Sequence, residues 1–187
     1  MRRYLVAVVS AGLMSTAVLM PQAATAKPVV MEHYSVTDAF SYSDCGFPVD
    51  VEVEGSGLLT IRTVKGSDQA FLGFDNYEFR EVHTNAATGE WFVIRGNGLF
   101  RDTSATLIEG NIYEFTIKES GQPFVVEDSS GNVVMRDRGL LQFRAVFDTL
   151  GDGEPGGDLL EFELVSIHGP HPGQDADFCE LATDLIG

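Results

Sequence analysis

Glu81 and His83 stand two residues apart in a run whose alternate positions are Tyr77 and Phe79. On a strand, residues i and i+2 share a face, so this carboxylate and this imidazole would lie side by side. Turned inward, the pair makes an acid and a base within reach of one substrate, the equipment of an isomerase or hydrolase. Turned outward, the two are ordinary surface residues. A second group is the acidic stretch Asp148, Asp152, Glu154 and Asp158, set among glycines between Phe147 and Leu159. Calcium takes six to eight oxygen ligands from flexible loops, and four carboxylates here are its raw material. Their spacing is not that of an EF-hand, and a solvated connection rich in turn formers is the preferred reading, so no metal is expected there. His168 and His171 sit three apart in a proline-bearing loop, but no cysteine or glutamate beside them completes a zinc set. Gly55-Ser56-Gly57 is too short for a nucleophile elbow. Gly96-Asn97-Gly98 has no helix after it to hold a phosphate, so a hairpin or bulge is the better reading. No cofactor is expected.

The elements that would position these residues read as strands. Val49, Val51 and Val53 alternate with Asp50, Glu52 and Glu54; Tyr113, Phe115 and Ile117 alternate with Glu114, Thr116 and Lys118. Leu141, Phe143, Ala145 and Phe147 form another such series, and Leu160, Phe162 and Leu164 the last. Period two with apolar residues on one side is the pattern of a half-buried strand. It turns Tyr113, Phe115, Phe143 and Phe147 inward and Glu114, Lys118, Gln142 and Arg144 outward. Gly55-Ser56-Gly57, Asn85 to Gly89 and Asp128 to Asn132 carry turn chemistry between strands. Only Asp177 to Ile186 has a helical pattern. Strands recurring about every ten residues, with no helix for a crossover, predict an all-β chain. The expected architecture is a single antiparallel β-barrel with a short C-terminal helix, and a β-sandwich is the alternative.

Residues 1–26 have the layout of a signal peptide. Arg2 and Arg3 precede an uncharged run from Tyr4 to Met20, and Ala24-Thr25-Ala26 supplies the small-x-small cleavage pattern. Residues 27–187 then form one secreted domain with no membrane span after cleavage. The formal net charge of −16 repels phosphate backbones, which excludes nucleic acid as a partner. Cys45 and Cys179 are the only cysteines, near opposite ends of the exported part. In an oxidising compartment an even pair reads as a disulfide. Acidic neighbours Asp44 and Glu180 disfavour the rival reading, a reactive thiolate. Closing so long a loop contributes about 5 kcal/mol in the chain-entropy model.

The series Cys45-Gly46-Phe47-Pro48-Val49, Thr84-Asn85-Ala86-Ala87-Thr88-Gly89, Asp128-Ser129-Ser130-Gly131-Asn132-Val133 and Cys179-Glu180-Leu181-Ala182 resembles a group of small secreted β-rich proteins of actinobacteria. The resemblance implies export and a β-fold with joined ends, and it supplies no catalytic residue. Thirteen phenylalanines and five tyrosines, mostly at alternating positions, exceed what turns require. They suit either a filled core or an apolar lumen that accepts a ligand. The expected function is a secreted non-catalytic β-barrel that binds a small apolar ligand or a cell-surface protein. The enzyme alternative uses Glu81 and His83. The cysteine reading is checked by thiol titration of the unfolded, non-reduced protein: no free thiol is expected, and two per chain would refute the pairing.

Overall fold

The computed structural model describes residues 29–187; the signal peptide expected from the sequence at residues 1–26 lies outside them. The chain is all-β. Its strands are β1 (Val30–Tyr42), β2 (Val49–Thr63), β3 (Phe71–Asn85), β4 (Trp91–Glu109), β5 (Ile112–Glu127), β6 (Val133–Arg136), β7 (Gly139–Asp148) and β8 (Asp158–His168), followed by helix α1 (Phe178–Ile186). All eight belong to one antiparallel sheet in the order β1-β2-β3-β4-β5-β7-β8, with β6 paired to β5. The antiparallel all-β architecture and the short C-terminal helix are as the sequence predicts. Closure is not: among the described residues no ladder joins β1 to β8. Within the sheet β5 divides its pairing, Ile112 to Gly121 with β7 and Val125 to Glu127 with the four-residue β6. Only one end of the sheet reaches full width, and at the other α1 covers the inner face.

The strands are longer than the turn signals imply. Gly55-Ser56-Gly57 is no turn but the middle of β2, paired residue for residue with Phe79, Glu78 and Tyr77 of β3. Gly96-Asn97-Gly98 is likewise inside β4, with a bulge beside it between Arg95 and Asn97. In register, Gly55 and Gly57 of β2, Gly96 and Gly98 of β4 and Gly121 of β5 occupy the inner face and form a waist across the sheet. Aromatic rings fill the space that side chains would have taken. A Cβ on Gly57 would collide with the Tyr34 ring, and one on Gly96 with the Phe79 ring and the Pro123 carbonyl. Tyr77 and Phe79 stack with centroids 6.3 Å apart.

The waist separates two apolar clusters on the same face. In the first, Val49, Val51, Phe92, Ile94 and Val126 pack against Ala182 and Ile186 of α1. That helix is secured three ways. Asp177 caps its first turn by accepting hydrogen bonds from the Cys179 and Glu180 amides. The Cys45–Cys179 disulfide joins its start to the segment after β1, and the Asn85 amide donates to the Ile186 carbonyl at 2.7 Å. The second cluster holds Ala70, Tyr113, Phe115, Ile117 and Ala145, with Phe143 and Phe147 packed on it. No helix covers it. Glu114 and Arg144 pair at 2.6 Å on the opposite face, as the period-two reading requires. No described helix is long and apolar enough to cross a membrane.

Two glycines of the waist should respond differently to a methyl group. Gly96→Ala places its Cβ against a ring and a backbone carbonyl, and should cost about 1–3 kcal/mol. At Gly55 a Cβ meets only ordinary contacts of 3.5 Å to the Glu78 carbonyl and 3.7 Å to Phe79 Cβ. Gly55→Ala should stay within about 0.5 kcal/mol of the parent. Urea unfolding of both variants is the measurement; equal costs would contradict the ring-over-glycine packing.

Candidate binding groove

Long, coiled strands bring β2 and β8, five places apart in the sheet, to the two sides of one groove. Its volume is about 350 Å³, near the lower end of the range of small-molecule sites. Leu59 and Ile61 come from β2, Phe71 from β3, Phe100 from β4, Phe115 and Ile117 from β5, Phe147 from β7, and Leu159 and Phe162 from β8. The period-two pattern places all of them on the inner face, so the same alternation that builds the second cluster also builds the groove floor. Pro155, Gly156 and Gly157 of the β7–β8 connection complete the rim. Two larger hollows, of about 500 and 660 Å³, lie over the glycine waist, and their walls are mixed: Val36, Phe79, Arg80 and Arg95 stand among polar groups and glycines in the first, and His33, Tyr34, Leu58 and Tyr77 in the second. Neither has the almost wholly apolar lining of the groove.

One ionisable side chain stands in this apolar wall, that of Asp102. It follows Phe100 on the inner face of β4, opposite Ile117, and a bulge begins directly after it. Thr103, the extra residue, donates its hydroxyl to the Thr116 carbonyl at 3.0 Å. Asp102 Oδ2 accepts a hydrogen bond from the Gly73 amide at 2.7 Å. Burial pushes its carboxyl above the ordinary carboxylate value, and the Gly73 amide opposes that shift without cancelling it. Sequence inspection passed Asp102 over. The available signal was its parity: it continues the inward series Phe92, Ile94 and Phe100, where an acid is costly unless partnered. Beside it on the same face, Asp75 and Glu119 flank Phe100 in register. Asp75 accepts the Tyr34 hydroxyl at 2.8 Å, and Glu119 accepts that of Tyr77. Burial and the Asp75 carboxylate push Tyr34 up to about 12, and the same two causes, with Glu119, raise Tyr77.

The residues singled out by spacing lie elsewhere. Glu81 and His83 do face inward and do touch, at 3.1 Å between Glu81 Oε2 and His83 Nε2. However, His83 is 3% exposed beneath α1, stacked on Phe92 at 4.8 Å and edge-on to Phe178. Its Nδ1 lies 3.4 Å from the Tyr42 hydroxyl. Both ring nitrogens thus have partners, and none of the three hollows reaches them. Asp148 and Asp158 stand opposite each other where β7 and β8 pair, but Asp152 and Glu154 lie in the connection between the two strands. Asp148 accepts the Leu150 amide and Asp152 the Glu154 amide, as turn-forming side chains do. Among the described residues no three of His, Cys, Asp and Glu converge to hold a metal ion. His168 and His171 separate: the first is exposed, while the second is buried with its Nδ1 3.7 Å from the buried Asp137.

The chain matches no known family model, no curated protein and no solved structure. The geometry of the groove therefore carries the functional argument.

Asp102 gives that geometry a measurable consequence. A carboxyl raised in the fold binds its proton more tightly than in the unfolded chain. Its stabilising contribution is complete below the ordinary carboxylate value and is lost as pH rises through the folded value. Asp102→Asn keeps an acceptor for the Gly73 amide and removes the charge. It should raise the melting temperature at pH 7 and leave it unchanged at pH 3. An equal change at both pH values would show that the carboxylate is not paying this cost.

Proposed function

We propose that the chain is a secreted, non-catalytic binding protein whose concave groove holds a small apolar ligand. The observation that carries this reading is a groove with nine large apolar side chains from six strands around one carboxylate. A pocket of this kind gains affinity from apolar area removed from water and orientation from a single polar contact. Export is supported by the signal-peptide pattern together with the formed disulfide. The acid–base alternative draws no support from placement, since the imidazole it needs is enclosed in the helix-covered cluster.

The experiment is fluorescence titration with a neutral, environment-sensitive apolar dye. Phe162 lines the groove although half its surface is exposed, so its loss removes ligand contact at small cost to the fold. Phe162→Ser should weaken dye binding about tenfold, corresponding to ~1.4 kcal/mol of lost burial. One bound dye per chain with that loss supports the reading. Absent binding, or binding that ignores both Phe162→Ser and Leu159→Ser, overturns it.

A further inference from the structure

We propose that the natural ligand is a lipophilic cation, an amine on an apolar body, whose ammonium pairs with Asp102 at the groove floor. This rests on the groove reading and adds the chemistry of the ligand's head. Among the described residues Asp102 is the only ionisable side chain in the groove wall. The Gly73 amide occupies Oδ2, and among the described residues Oδ1 takes no hydrogen bond, which leaves an acceptor for an incoming donor. Nothing on this face competes for that role. Along the inner-face positions of β1 to β5, β7 and β8 there is no lysine or arginine; the arginines at 62, 80, 95, 101 and 144 and the lysine at 118 all have the opposite parity. Asp75 and Glu119, in the adjoining row, add negative potential while each is already bonded to a tyrosine.

Charge decides between the possible heads. A carboxylate or phosphate would meet three acids and no cation, at a cost of desolvation on both sides. A neutral alcohol would satisfy Oδ1 but leave the Asp102 charge in an apolar wall. An ammonium supplies both the hydrogen bond and the opposite charge, in the water-poor setting where a charge-assisted bond is strongest. The formal charge of −16 draws cations towards the molecule in the same sense.

The test is calorimetric titration with octylamine, octanol and octanoate, which share one apolar body, below their aggregation concentrations. Octylamine should bind at least tenfold more tightly than octanol, and octanoate more weakly than either. In Asp102→Asn the amine and the alcohol should come within about threefold of each other. Glu163→Gln, an exposed acid of β8, should leave the tenfold preference intact and so exclude general attraction to an acidic chain. On the unaltered protein, octylamine and not octanol should move the ¹³Cγ resonance of Asp102, which tests the contact even if the variant folds poorly. Equal binding of amine and alcohol, a preference that survives Asp102→Asn, or an unmoved Asp102 resonance would overturn the cationic ligand while leaving an apolar groove. Absence of binding by all three together with the neutral dye would remove the groove reading as well.

Discussion

A row of missing side chains sets the form of this molecule. Where Gly55, Gly57, Gly96, Gly98 and Gly121 meet on one face, the backbone is bare and the rings of Tyr34, Tyr77 and Phe79 lie against it. Glycine in a strand is unfavourable by itself, because it surrenders more chain entropy and packs nothing. Here the aromatic cover returns part of that cost, much as cross-strand aromatic pairs rescue weak positions in a sheet. The rings also leave their hydroxyls pointing to acids at the boundary between the two clusters, Tyr34 to Asp75 and Tyr77 to Glu119. The waist is thus a polar partition across an otherwise apolar face. On one side lies a core closed by a helix, and on the other a groove left open.

How much of this was legible in the sequence depends on what each signal measures. Period two fixes the side of the sheet on which a residue stands, and it placed Tyr113, Phe115, Phe143 and Phe147 on the same inner face. Cysteine parity gave the disulfide. Glycine was the misleading residue. Gly55-Ser56-Gly57 satisfies every local requirement for a turn, and the contacts that make it strand are with Tyr34, Tyr77 and Phe79, distant in the chain. Reading a turn there also split one long strand into two short ones, which favoured a closed barrel of many strands. Glu81 and His83 were rightly placed side by side, yet their surroundings depend on α1, which arrives about a hundred residues later in the chain. Asp102 went unnoticed because no motif surrounds it. Only the third dimension, which curls β8 towards β2, makes its wall a groove.

The two ends of the inner face are fastened unequally, which suits the proposed division of stability from binding. The disulfide, the Asp177 cap and the Asn85 amide all act on α1 and the first cluster. A crosslink spanning 134 residues restricts the unfolded chain strongly. Among the described residues the groove end has no comparable fastening, and it contains a carboxylate held above its ordinary range by burial. Sites that bind commonly carry such local penalties, because a residue arranged for a ligand is poorly satisfied without one. The strongly fastened end supplies the margin that the groove end spends.

The sheet margins bear on what the open end is for. β1 and β8 each have one unpaired edge, and β8 exposes Leu159, Phe162, Leu164 and Ile167 on its inner side. An unprotected edge of that kind invites another strand. The opposite side of β8 carries Glu161 and Glu163, and its ladder to β7 is interrupted by irregularities at Gln142/Phe143 and Val146/Phe147. β1 carries Glu32 and Asp38 on its own inner side, charges that disfavour an added strand there. Charge and bulges are the usual means of keeping a strand edge single. They protect the backbone edge without covering the apolar side chains beneath it. An apolar surface open to a small molecule and closed to a second strand suits the groove-binding role proposed above, and a strand-docking partner would require the reverse.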